Sequence, residues 1–176
     1  MKELLIKLQA CQEALVWAGD KTWEEIYNTC ERGDWLLWLH DKTNKEDLQV
    51  RTLAKGHCAN TVRHLMQDER SLKAIDTAIA FGDGRATLQE LDAAYSAAAD
   101  AVEDAYYPRA AAAAYTANAA DYAAEAAYYA AAYSVARTKN QKETADIVRK
   151  YIPIELWNVN KMIDEVNVEK EVRNEK

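Results

Sequence analysis

The chain is short of the residues that build most active sites. It has three cysteines, Cys11, Cys30 and Cys58, an odd number with no CxxC spacing. That excludes a disulfide framework and a zinc knuckle. Five glycines and two prolines leave little for phosphate-cradling loops, and Phe81-Gly82-Asp83-Gly84-Arg85 has the spacing of neither a calcium loop nor a phosphate loop. It reads as a turn. GxSxG, HExxH and paired His-Asp metal motifs are missing, so no catalytic residue, metal or cofactor is expected. No run approaches the ~20 apolar residues of a membrane span, and Met1-Lys2-Glu3-Leu4-Leu5-Ile6 carries no cleavage-site pattern. The expected setting is a reducing cytoplasm, with no membrane partner. Basic charge is also in deficit, 22 Lys and Arg against 29 Asp and Glu, for a net charge of -7. Duplex nucleic acid, which needs a basic field, is therefore not the expected partner. A basic protein partner fits that sign, and so does solubility alone.

Phenylalanine occurs once, but there are five Trp and ten Tyr. These rings with a polar handle suit half-wet positions and binding surfaces. Apolar spacing is helical throughout, and nothing alternates with period two. Leu4, Leu8, Cys11, Leu15 and Ala18 form one stripe, ended by Gly19-Asp20. Thr22-Trp23-Glu24-Glu25 predicts a capping box, followed by a face of Trp23, Ile26, Tyr27 and Cys30. Gly33 is read as the stop of that helix, and Asp34 as the cap of the next, which carries Trp35 to Leu39. Asn44 is read as the cap of a fourth helix over residues 46–66. Asp68 or Ser71 opens a fifth, and Thr87-Leu88-Gln89-Glu90 is a second capping box. An Ala/Tyr-rich tract follows, split by Pro108 into helices over 88–106 and 109–138. A helix over 140–151 and an element from Pro153 complete the chain. The fold expected is an all-α compact bundle of about seven to eight helices with an Ala/Tyr-rich helical hairpin. Residues 1–165 form one domain, and the charged tail 166–176 is expected to fray.

Within the tract, Tyr115, Tyr122 and Tyr129 recur every seven residues among alanines. They rim either a close-packed hairpin or a groove for a ligand or partner helix, and Tyr122 is the candidate contact. Ala-rich faces could also bury against a second copy, giving a homo-oligomer. The densest chemistry lies on the fourth helix: Arg51, Lys55, His57, Cys58, Arg63 and His64. His57 and His64 fall about 20° apart on a helical wheel, but about 10 Å apart along the axis, too far to share a metal. Cys58 lies on the apolar side with Val62 and Leu65, as a buried thiol would. Arg51 and Lys55 point to that same side, where a cation needs compensation. Either they pair with acids such as Asp20, Glu31 or Asp34, or they line a pocket for an anionic ligand flanked by Trp35 and Trp38.

Cys30-Glu31-Arg32-Gly33-Asp34-Trp35-Leu36-Leu37-Trp38, then Ala54-Lys55-Gly56-His57-Cys58-Ala59, the Ala/Tyr tract and Thr144-Ala145-Asp146-Ile147-Val148-Arg149-Lys150-Tyr151 resemble an immunity-protein family of bacterial toxin loci and phage genomes. The likeness covers the chain to about residue 155. It implies a small intracellular protein that neutralises something harmful by binding it, and brings no catalytic residues. Three expectations follow. One is a non-enzymatic binder that sequesters a toxin or defence protein. Another is a sponge that holds a small anionic nucleotide-like signal with Arg51, Lys55, His57, Arg63, His64, Asp34, Trp35 and Trp38. The last is an enzyme that degrades such a signal with a histidine base.

Overall fold

Thr22 opens a helix as its spacing predicts. Its hydroxyl accepts from the Glu25 backbone N–H at 3.2 Å, and the Glu25 carboxylate accepts from the Thr22 N–H at 2.7 Å. The same reciprocal pair forms between Thr87 and Glu90. In the computed structural model, which describes residues 1–104 and 135–174, such starts divide the described residues into nine α-helices with no strand. They are α1 Lys2–Lys7, α2 Gln12–Ala18, α3 Trp23–Thr29, α4 Gly33–Thr43, α5 Leu48–Asn60, α6 Glu69–Gly82, α7 Leu88–Asp104, α8 Val135–Tyr151 and α9 Val159–Asn174. Single 3-10 turns lie at Arg63–Leu65 and Ile154–Leu156. The all-α expectation holds. Residues 105–134, with Tyr115, Tyr122, Tyr129 and the second arm of the expected hairpin up to residue 134, lie outside the described residues.

The centre of the bundle is α5, which packs on α4, α6 and α8; α7 covers α6, and α1 packs on α2 and α9. The α5–α6 pair is antiparallel and close. Gly56 faces Ala78 and Ile79, and Gly82 faces Leu53, where an added Cβ would lie 2.6 Å from the Leu53 Cα. One apolar core joins α1, α3–α6, α8 and the 152–159 turn, through Leu4, Trp23, Leu36, Ile75, Val148 and Ile152 among others. A small all-alanine cluster, Ala74, Ala94 and Ala98, seats α7 on α6. The end of α3 is held to α8 by Arg149, which donates to the Tyr27 carbonyl at 2.6 Å and to the Cys30 carbonyl. These are last-turn carbonyls that the helix itself leaves unpaired.

Several boundaries differ from the expected ones. The Leu4–Ala18 stripe is two helices, not one, broken at Gln9, whose φ of 63° is left-handed. Cys11 accordingly leaves the core and is exposed. Gly33 does not stop α3 but begins α4, and Arg32, not Asp34, holds the N-cap position. The fourth helix ends at Asn60 rather than residue 66, and Leu65 is 46% exposed. Asn44 does not cap it; Asp47 holds that position. No break occurs between residues 138 and 140, since α8 is continuous there. Beyond residue 165, α9 runs on as helix to Asn174, and Lys7 pairs with Glu169 at 2.8 Å.

Candidate functional site

Helix α4 presents two unlike faces. On one, Gly33, Leu37 and His40 face the bundle, all buried. About half a turn away on the wheel, Trp35, Trp38 and Leu39 face α2 and the turn before it.

The inward side supports a polar network. Arg51 and Lys55, one turn apart on α5, are both buried, as their spacing predicted. Their acid is Asp41 on α4, not Asp20, Glu31 or Asp34. Its Oδ1 lies 3.1 Å from Arg51 Nε and 3.9 Å from Lys55 Nζ. Arg51 Nη1 also donates to the Asn44 carbonyl at 3.0 Å. Asn44 is itself buried. Its side chain accepts from the Thr43 hydroxyl and the Asn158 N–H, and donates to Asp47 and, at 2.6 Å, to the Leu156 carbonyl. Next to it the fully buried His40 ring packs edge-on against Trp157 at 4.9 Å, with Asp47 at 3.8 Å. Burial pushes the His40 pKa down to about 4; Arg51 and Lys55 act in the same sense, and Asp47 and Asp41 oppose. His40 is neutral at pH 7.

The outward side forms a cavity of about 350 Å³ between α2 and α4. Its walls are aromatic: Trp17 from α2 and Trp35 and Trp38 from α4, all half-buried. Trp17 and Trp35 meet edge to face with centroids 5.8 Å apart. Leu5, Ala14, Ala18, Ile26, Leu36 and Leu39 supply apolar lining, and Gln9, Cys11 and Asp34 its polar edge. The lining includes no histidine, lysine or arginine. Arg32 bridges the mouth. Its guanidinium lies over Trp35 at 4.4 Å, donates to Asp34 at 2.8 and 2.5 Å, and reaches Glu13 on α2 at 3.3 Å. Lys21 sits over Trp17 at 4.6 Å. Burial pushes the Cys30 thiol up, away from the reactive thiolate. The arrangement is equipped to hold an apolar ring or chain, with cations at its rim.

The expected site residues thus divide. Asp34, Trp35 and Trp38 meet in the cavity, but Asp34 is engaged by Arg32. Arg51 and Lys55 do not line it. His57 stacks on Tyr151, rings 4.2 Å apart and 6° from parallel, and burial lowers its pKa. Arg63 is paired in bidentate fashion with Asp76 on α6, at 2.6 and 3.0 Å. His64 is exposed on the 3-10 turn, so it shares no helical face with His57. Cys58 is fully buried with its thiol pushed up by burial, and its Sγ contacts the Thr144 carbonyl. Among the described residues no cluster of His, Cys, Asp and Glu could hold a metal, and no helix is long and apolar enough to cross a membrane. Sequence reasoning passed over Trp17, Arg32, His40 and Asp41. Trp17 lies off the Leu4–Ala18 stripe, and that offset was the available signal. Compared with protein-family models, with curated proteins and with solved structures, the chain matches none.

Proposed function

We propose that this protein is a non-enzymatic binder of the immunity or anti-defence kind, which neutralises a protein target by holding it at the tryptophan cavity between α2 and α4. The observation that carries this reading is the cavity itself: three half-buried indoles around about 350 Å³, with Asp34 at their edge. Pockets of this size and lining serve recognition, and Trp is enriched among residues that dominate binding energy. The anionic-sponge reading loses its support, because the cations it relied on are spent on Asp41 and Asn44 inside the bundle. The histidine-base reading has His57 stacked on Tyr151 and His64 exposed on the 3-10 turn, and neither lines the cavity.

The test is neutralisation in cells that carry a toxin or phage-defence system which the wild-type chain relieves. Ala14→Trp, which fills the cavity, cancels relief while its melting temperature stays within a few degrees of wild type. Lys55→Met leaves relief intact. Relief that survives a filled cavity overturns the proposal. A second arm mixes the protein with candidate nucleotides, heat-denatures it and assays the supernatant. Intact nucleotide carried by the protein makes it a sponge, and new products make it an enzyme; either result also overturns the proposal.

A further inference from the structure

The rim of the tryptophan cavity already shows what chemistry it favours. Arg32 lays its guanidinium on Trp35 between two carboxylates from different helices, Asp34 on α4 and Glu13 on α2. Lys21 lays its ammonium on Trp17. The cavity is thus ringed by cation sites made of an indole face, a carboxylate, or both. The surrounding charge has the same bias. Between Cys11 and Trp38 the chain carries six acids, Glu13, Asp20, Glu24, Glu25, Glu31 and Asp34, against two bases, Lys21 and Arg32. That stretch holds -4 of the chain's net -7. Both bases are the ones already seated on tryptophans, and Lys142 from α8 answers Glu31 at 2.9 Å, so the negative charge left to an approaching partner is that of Asp20, Glu24 and Glu25. Inside the rim the chemistry changes: Leu5, Ala14, Ala18, Ile26, Leu36 and Leu39 line an interior that offers nothing to a phosphate.

Resting on the function proposed above, we propose that the partner's contact with this site is a basic segment that inserts one large apolar side chain between Trp17, Trp35 and Trp38. Its lysines or arginines settle on the exposed acids Asp20, Glu24 and Glu25, since Glu13 and Asp34 are already held by Arg32. Negative potential over the mouth speeds the encounter and orients the segment, while burial of the anchor supplies affinity. The same field repels nucleic acid and anionic lipid surfaces.

The probes are synthetic helical peptides, Lys-rich with a single Phe anchor, titrated against the full chain while its tryptophan emission is followed. The expected result is saturable binding that weakens roughly tenfold or more when Phe becomes Ala. Replacing every Lys of the peptide by Glu, or raising salt from about 50 to about 500 mM, should weaken it as strongly. In the protein, Ala14→Trp removes binding, and Asp20→Lys with Glu24→Lys weakens it while the melting temperature stays within a few degrees of wild type. Equal affinity for the Lys and Glu peptides overturns the inference. So does free indole that binds as tightly as the peptide with no salt dependence, since that marks a small-molecule pocket. The two readings fail separately. Neutralisation lost in Ala14→Trp with no peptide bound sinks only the basic-segment inference. Peptide bound by a chain whose neutralisation survives Ala14→Trp sinks the functional reading.

Discussion

Helix α4 meets α8 backbone to backbone at Gly33 and Thr144: a methyl group added at Gly33 would lie 2.7 Å from the Thr144 carbonyl carbon. No rotamer change relieves a clash with main chain, so α4 and α8 would have to part. Gly33→Ala is expected to cost about 2 kcal/mol, the usual scale of overpacking. Gly56→Ala should cost less, because its nearest neighbour is the Ile79 side chain, at 2.9 Å. Urea unfolding of the two variants checks the order. Equal stability of Gly33→Ala and wild type would show that the helices are not in close contact there.

That contact also marks the limit of what the chain discloses on its own. The Thr22–Glu25 and Thr87–Glu90 boxes were legible, because donor and acceptor lie three residues apart and the geometry is local. So was the inward aim of Arg51 and Lys55, fixed by helical period alone. The role of Gly33 was not legible, since its partner is 111 positions away and a helix stop leaves the same glycine in the sequence. The identity of Asp41 was hidden for the same reason: several acids could have reached the cations, and only the crossing of α4 over α5 chose one. The α1–α2 break falls at Gln9, which carries neither the glycine nor the proline that usually signals one. Of the cavity, Trp35 and Trp38 could be read from α4, but Trp17 depends on that unsignalled break to reach them.

Asp41 compensates two buried cations, so removing it should cost more than removing either of them. Asp41→Ala removes the carboxylate that Arg51 and Lys55 share and is expected to lose about 3 kcal/mol. Lys55→Met keeps the aliphatic stem and discards the charge, and should fall within about 1 kcal/mol of wild type. The double variant should recover part of the Asp41→Ala loss. Denaturant midpoints for the four proteins decide this. A Lys55→Met penalty larger than that of Asp41→Ala would mean that the lysine has a role the ion pair does not describe.

Asn44 ties the end of α4 to the turn before α9 through the Leu156 carbonyl and the Asn158 N–H, at 2.6 and 3.1 Å. Asn44→Ala leaves buried partners unsatisfied and is expected to cost about 3 kcal/mol, on the scale of a few lost buried hydrogen bonds. Asn44→Asp should be no better, because it replaces the donating amide with a carboxylate facing Asp47 and the Leu156 carbonyl. Amide exchange of the Asn158 N–H should accelerate with the global loss of stability. Unchanged protection there would show that the turn is held by other contacts.

His40 gives the fold a built-in acid sensitivity whose sign is fixed by its burial. Its pKa is about 4 in the folded chain against 6.5 as the ordinary value. Between those pH values the unfolded chain binds a proton that the folded chain refuses. Stability therefore falls as pH drops from 6.5 toward 4, and the histidine contributes no further slope below that. The full effect is on the order of 3 kcal/mol, with the charges of Asp47, Arg51, Lys55 and Asp41 already included in the folded value. Carboxylates titrate in the lower part of the same window, so the measurement is a difference: unfolding free energies of wild type and His40→Leu at pH 7 and pH 4.5. The variant should lose clearly less on acidification, because its leucine has no proton to take up. Parallel pH profiles for the two proteins would show that the His40 ring is already hydrated in the folded state, and that its packing against Trp157 is looser than 4.9 Å between centroids implies.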